Sequence, residues 1–368
     1  MKLVGIDVGK NSHHFCVMDK ETGEFNVTPS SFSNNKEGFD FLINSLKPYS
    51  KKSILLGMED TGHYHVALLK FLLSNGYTVA LITPKTTELT RKMEGGITNV
   101  DRFDLYEQRQ LTRHHHNLKE ELNIYCNRLQ KSIDLVFPEF NTLFGSKYGV
   151  VYMNLLKTFG SAEAIASTDI RTIRKCFEIK GSGNRISLTP EKLKECAKNS
   201  IGISSEVETI QIKHLVSQIT LIKEQIAEID KKIEEFSITN NSPILSIPGI
   251  SHFSGTSILA ELGDIGNYSK PSQIIKFAGV APYHYESSQY NAQHTGITKK
   301  GSKYLRKTLY QIILPVINNN PVFKKYYRLK ISQGKGHRCA QGHCIRKLLR
   351  VIYHLLETGQ SFDPALLR

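Results

Sequence analysis

The chain has no tryptophan, and between residues 271 and 350 it has almost no acid: fifteen Lys and Arg stand there against Glu286 alone. Outside that stretch the remaining thirty-three basic and thirty-three acidic residues cancel, so the formal charge of +14 belongs to the C-terminal part of the 368 residues. A field so one-sided excludes a cationic partner and selects a polyanion, of which nucleic acid is the commonest. With no Trp, base stacking falls to Tyr, Phe, His or Arg. The six cysteines lack a framework spacing, which excludes a disulfide-stapled secreted scaffold. No apolar run approaches a membrane span, and the opening MKLVGIDVGK is too short in apolar residues for a secretory signal. A cytoplasmic protein without membrane contact is expected, long enough for two or three domains with their own cores.

What is present begins with extended segments at Leu3–Val8, Phe15–Met18 and Phe25–Thr28, separated by turn-forming groups at Gly9-Lys10-Asn11 and Glu21-Thr22-Gly23. A helix over Gly38–Leu46, a strand over Ile54–Met58, a helix over His65–Leu73, a strand over Tyr77–Ile82 and a long helical run from about Asp101 follow. A three-stranded meander succeeded by alternating strand and helix predicts an α/β domain of RNase H-like (RuvC-like) order, although periodicity alone admits other α/β orders. Residues 111 to 200 read as mostly helical and polar, with a loop at Lys180-Gly181-Ser182-Gly183-Asn184. Ile212, Leu215, Ile219, Ile222, Ile226, Ile229, Ile233 and Phe236 then recur at alternating spacings of three and four. That heptad seam predicts a left-handed coiled coil over about 205–237, formed between copies of the chain or with another helix of the same chain. Asn240-Asn241-Ser242-Pro243 breaks it. The expected division is 1–150 for the α/β domain, 151–240 for a helical coiled-coil connector, and 241–368 for a basic, mainly helical domain in which Pro248-Gly249 forms a helix-hairpin-helix-like element.

Four carboxylates occur where chemistry is built. Asp7 and Glu59 end apolar strands, and Asp101 and Asp104 lie three apart at a helix start, so that both project from one face. Gathered together they repel one another unless hard divalent cations neutralise them, and two Mg²⁺ ions sharing such ligands form the two-metal arrangement for phosphoryl transfer. His114-His115-His116 reads as a solvated helix face. The spacing of His337, Cys339, His343 and Cys344 does not suit zinc, and their segment reads as a helix.

Gly5-Ile6-Asp7-Val8, Met58-Glu59-Asp60-Thr61-Gly62 with Tyr64, Thr83-Pro84 and Val100-Asp101-Arg102-Phe103-Asp104 together resemble the DEDD, RuvC-like domain of the IS110 and IS1111 transposases, over about residues 1 to 150. The resemblance implies Mg²⁺ binding by Asp7, Glu59, Asp101 and Asp104, with Asp60 leaving a second acid beside Glu59. Leu245-Ser246-Ile247-Pro248-Gly249-Ile250, Ile258 to Ile265 and Phe277-Ala278-Gly279-Val280-Ala281-Pro282 look like the C-terminal transposase domain of the same family. Counting from Pro282 puts Ser287 on the family's nucleophilic serine, and the adjacent Ser288 leaves the register open by one residue. Thr298-Lys299-Lys300-Gly301 with Leu305-Arg306 matches the family's basic segment.

The expectation is therefore a transposase or recombinase of an insertion sequence. Its metal domain and Ser287 would meet in a composite site between subunits, holding the cut strand as a phosphoserine ester. Lys299, Lys300, Lys303, Arg306, Lys307, Lys324, Lys325 and Arg328 are the expected nucleic-acid contacts. The resemblance implies DNA as substrate, a structured non-coding guide RNA from the element and a homo-oligomer, dimer or tetramer. Three rivals stand beside it: a pilin-gene invertase with the same motifs, an actin-like ATPase or sugar kinase suggested by Gly5-Ile6-Asp7-Val8-Gly9-Lys10, and a non-catalytic nucleic-acid scaffold.

Overall fold

Alternating apolar and polar residues build the N-terminal sheet. Strands β1 (Lys2–Val8), β2 (Ser12–Asp19) and β3 (Phe25–Ser33) form the expected antiparallel meander. Helix α1 (Lys36–Leu46) starts at Asn35, whose side chain accepts the Gly38 N–H. Strand β4 (Ile54–Glu59), helix α2 (Val66–Ser74), and strands β5 (Val79–Ile82) and β6 (Ile97–Val100) complete a sheet of order β3-β2-β1-β4-β5-β6. The β1–β4 and β4–β5 pairs are parallel, and β6 returns antiparallel to β5. This computed structural model describes residues 1–60, 64–82, 97–100, 103–178, 187–282, 286–287, 290–291 and 296–366, with backbone alone at 97–100, 103, 286–287 and 290–291.

One face of the sheet carries Val4, Ile6, Phe15, Val17, Leu56 and Met58, all buried. Leu42 and Leu46 of α1 and Leu68, Leu69 and Leu72 of α2 share that core. Because successive strand residues point to opposite faces, this packing sends Gly5, Asp7, His14, Cys16, Gly57 and Glu59 to the other side.

The chain leaves the sheet through α3 (Phe103–Val136), passes through the short helices α4 (Val150–Thr158), α5 (Ala162–Ser167), α6 (Ile170–Lys175) and α7 (Pro190–Lys198), and returns through α8 (Glu206–Asn240). Residues Arg113–Glu235 form one compact unit, and Met1–Thr112 with Phe236–Arg368 form another. The loop expected at 180–184 lies outside the described residues. In the helical unit the heptad residues Ile212, Leu215 and Ile219 share a core with Leu129, Ile133 and Val136 of α3. Asp230, far along α8, meets His115 near the start of α3 at 3.1 Å, so the two helices run antiparallel. Ile212, Leu215, Ile219, Ile222, Ile226, Ile229 and Ile233 are all buried within the single chain. Of the two pairings the heptads allow, the intrachain one accounts for this burial, and the stripe is covered without a second copy. The histidine triplet departs from expectation: His115 and His116 are buried, and only His114 faces solvent. Helical period explains the split, because three consecutive residues span about 200° of the helix circumference and cannot share one face.

After the left-handed Asn241 and Pro243, helices α9 (His252–Leu262), α10 (Pro271–Phe277), α11 (Lys303–Asn319), α12 (Pro321–Ser332) and α13 (His337–Thr358) pack around one apolar core that includes Ile258, Ile274, Leu309, Phe323 and Leu348. Two-residue strands β7 (Glu286–Ser287) and β8 (Tyr290–Asn291) pair between α10 and α11. Within the same unit, Arg109 Nε donates to the Ala260 carbonyl (2.7 Å) and Asn240 Nδ2 to Gln108 Oε1 (3.1 Å), tying the start of α3 and the end of α8. The His/Cys segment lies in α13. Cys344 is buried, and burial pushes its thiol up to about 11. His337 engages the Tyr327 hydroxyl through Nδ1 (2.5 Å) and Gln341 through Nε2 (2.9 Å). Among the described residues, no helix is long and apolar enough to cross a membrane.

Candidate active site

The tight turn at Gly9-Lys10-Asn11 sets the β1–β2 register so that His14 lies opposite Asp7 and Cys16 opposite Gly5. On the other side of β1, parallel pairing aligns Gly5 with Gly57 and Ile6 with Met58. Asp7 and Glu59 are each the next residue beyond that last pair. They therefore emerge on one face of two adjacent strands, and both line a cleft of about 400 Å³ with His14, Cys16, Gly5 and Gly57. The glycines are its floor. A Cβ on Gly57 would stand 3.5 Å from Ile82 Cδ1, and one on Gly5 3.6 Å from Cys16 Sγ. Neither position is sterically closed to a side chain, so the missing atoms leave open space directly beneath the carboxylates.

The two acids of the 59–60 pair separate by strand parity. Glu59 faces the cleft, whereas the Asp60 carboxylate lies 3.5 Å from His65 Nε2. His65 stacks edge-on against Tyr106 at 6.2 Å, and Tyr106 packs on the core of the sheet. The first turn of α3, which contains Asp104, is thereby docked beside the end of β4. Asp104 is half-buried and is not one of the residues lining the cleft. Asp101 lies outside the described residues, among which no group of three or more metal-ligating side chains forms. The structure thus brings Asp7 and Glu59 together and places Asp104 on the first turn of α3. His14 and Cys16 were missed from the sequence. The signal that finds them is the hairpin register, which follows from the turn length.

The serine segment stands on a backbone clamp. Thr298 N–H donates to the Ala281 carbonyl (3.0 Å), Lys299 N–H to Gly279 (3.0 Å) and Ser302 N–H to Phe277 (2.9 Å), while Pro282 bridges Ile297. Gly279 (φ +66°) and Gly301 (φ +106°) are required here. A Cβ on Gly279 would fall 2.4 Å from the Lys300 carbonyl oxygen, and one on Gly301 2.0 Å from that of Phe277. Between the two sides of this clamp in sequence lie β7 and β8, where Ser287 pairs with Tyr290. Ser288 lies outside the described residues. Ser302 also caps α11 and donates its hydroxyl to the buried Glu261 carboxylate (2.6 Å), which anchors the foot of the clamp.

The basic residues are not equivalent. Lys299, Lys300, Lys303, Lys324, Lys325 and Arg328 are exposed, and Lys307 is half-buried. Arg306 Nη1 donates to the carbonyls of Ala278 (3.4 Å) and Lys299 (3.2 Å), so this guanidinium braces the clamp.

Two family models cover the two ends of the chain. A DEDD transposase model of the IS110 type matches residues 4–107, and that of the IS116/IS110/IS902 transposase family matches residues 241–328. The pilin gene-inverting protein of Moraxella lacunata is 23% identical over 98% of this chain and 97% of its own length. The uncharacterized 42 kDa protein of insertion element IS900 from Mycobacterium paratuberculosis is 27% identical over 46% of this chain and 43% of its own. The IS1111A transposase of Coxiella burnetii is 21% identical over 45% of this chain and 46% of its own. The protein is a DNA transposase or recombinase. It belongs to the IS110 family.

One result is expected from the glycine floor. Gly57→Val adds a residue that strands favour at a position with room for its Cβ, so the fold should hold and melting should not fall. Its methyl groups fill the space beneath Glu59, and strand cleavage should drop by about 100-fold. Cleavage at the wild-type rate would mean that substrate does not enter this cleft.

Proposed function

We propose that this protein moves an insertion sequence by cutting and rejoining DNA with Asp7, Glu59, Asp101 and Asp104 as Mg²⁺ ligands and Ser287 as nucleophile. The observation that carries the reading is the pair Asp7 and Glu59 on one face of adjacent strands, in a cleft where Gly5 and Gly57 present no side chain. A donor set of carboxylate oxygens suits hard divalent cations, and the open floor lets a phosphodiester backbone approach. Two Mg²⁺ ions bound there supply charge neutralisation at the scissile phosphate. The Ser287 hydroxyl gives up its proton and attacks phosphorus, the leaving oxygen takes up a proton and departs with one strand end, and the other end stays on the protein as a phosphoserine ester. One phosphoester replaces another, so rejoining needs no high-energy cofactor. Lys299, Lys300, Lys303, Lys307, Lys324, Lys325 and Arg328 hold phosphates, and Arg306 braces their loop. The same cationic region takes the element's structured guide RNA. A homo-oligomer brings the serine of one subunit to the acids of another, through surfaces other than the covered α8 seam.

A second reading has its own support, since the relative named as a pilin gene-inverting protein aligns over 98% of this chain. Plasmids carrying the element ends in direct or inverted orientation separate the two. Excised circles formed with Mg²⁺ and lost on chelation are the expected products. Inversion without excision would favour the second reading, and no metal-dependent product from either plasmid would overturn both.

A further inference from the structure

The last turns of α13 and the tail that follows enclose a second cavity, of about 440 Å³, within the C-terminal helices. Its floor is apolar, made by the buried Val351 and Leu355 and by Phe362 from the tail. Its rim is cationic: Lys347 and Arg350, three residues apart on α13, line the same opening. Tyr326 closes one side, with the Lys330 and Lys347 ammonium groups 5.2 and 5.0 Å from its ring centroid. The tail wall is pinned, because the Phe362 N–H donates to Ser246 Oγ at 2.7 Å. The acid in this lining, Asp363, accepts the Ala365 N–H at 2.8 Å and so caps the turn that follows it. None of these residues belongs to the acid cleft, the serine clamp or the phosphate contacts assigned above.

We propose that this cavity holds one unpaired nucleotide of a single-stranded nucleic acid, its phosphate on Lys347 and Arg350 and its base against Phe362, Val351 and Leu355. The volume falls in the range of small-molecule sites, which suits a single nucleotide and not the width of a duplex. An apolar floor that includes the Phe362 ring demands a base with a free face, and stacking in a duplex removes it. Inorganic phosphate would leave the apolar floor uncovered. The proposal rests on the reading that this enzyme handles nucleic-acid strands, and adds that it captures an unpaired position away from the reacting phosphate.

The test uses the full chain and measures fluorescence anisotropy with an unstructured single strand and a hairpin duplex, each as DNA and as RNA. Lys347→Ala combined with Arg350→Ala should weaken single-strand binding about tenfold or more and reduce its salt slope by about 0.7, the equivalent of the one phosphate they hold. Duplex affinity should change by less than about threefold, because base-floor contact is absent there. Phe362→Leu keeps apolar bulk and should still lose about fivefold on single strands. Strands carrying iodouracil should crosslink in the wild type to peptides containing Phe362 or Tyr326, a readout that needs no variant to fold. The ratio of DNA to RNA capture shows which strand the pocket serves. Parallel losses on duplex and single strand, or crosslinks confined to residues 299–325, would overturn the pocket and leave the transposase reading intact. A wild-type protein that binds neither form of nucleic acid would overturn both.

Discussion

Asp7→Asn should leave a folded protein that binds DNA and no longer cuts it. Asp7 is exposed at the end of β1, while the residues that hold the strand, Val4 and Ile6, point to the opposite face and are buried there. The substitution keeps shape and removes only the charge that a hard cation needs. Loss of outer-shell partners of a metal ligand already lowers activity or affinity by about 10- to 100-fold, so loss of a ligand should lower cleavage by more than about 100-fold. Glu59→Gln should behave in the same way. Asp60→Asn is the internal control: its carboxylate is turned toward His65, and its cleavage rate should stay near that of the wild type. Measured rates that fall for Asp60→Asn and not for Glu59→Gln would reverse the assignment of the second acid. Wild-type cleavage in Asp7→Asn would remove the metal-site proposal altogether.

Ser287→Ala should abolish both recombination and the protein–DNA adduct. In a nuclease whose attacking group is water, both cut ends leave free. A serine nucleophile instead retains one end, and that species survives denaturing electrophoresis with DNA attached to the peptide containing Ser287. Ser288→Ala should retain at least part of both activities, because the count from Pro282 puts Ser287 and not its neighbour on the nucleophile. DNA attached at Ser288 would move the register by one residue. Recombination unchanged in both variants would end the serine mechanism and leave the acid cleft standing.

Several elements were legible before any coordinates. The meander, the strand ending at Glu59, the helix starting near Asp104 and the long heptad helix all appear where periodicity put them, because each is written in local spacing of two or of three and four. The cleft was legible only in half. Asp7 and Glu59 were named from the sequence, but the floor of Gly5 and Gly57 and the flanking His14 and Cys16 required the cross-strand register. Arg306 carries a role that its place in the sequence does not show. Counted among the cations of a basic segment it looks like a phosphate contact, and only its carbonyl partners at Ala278 and Lys299 reveal a brace.

Composition and period by themselves determined that this chain carries a strongly basic C-terminal region, an α/β N-terminal domain with strand-end acids, and a heptad helix. Charge count and side-chain period are properties of neighbours along the chain, and survive whatever the chain packs against. The tertiary structure alone decided that Glu59 and not Asp60 shares the cleft with Asp7. It decided that the α8 seam is buried within the same chain, with Ile212, Leu215 and Ile219 sharing a core with α3, and that residues 1–112 and 236–368 form one unit across the helical segment between them. The physical reason is common to all three. A strand or helix pattern specifies that a face must be buried, but the covering residues come from positions about a hundred residues away, and their choice is made by packing of the whole chain.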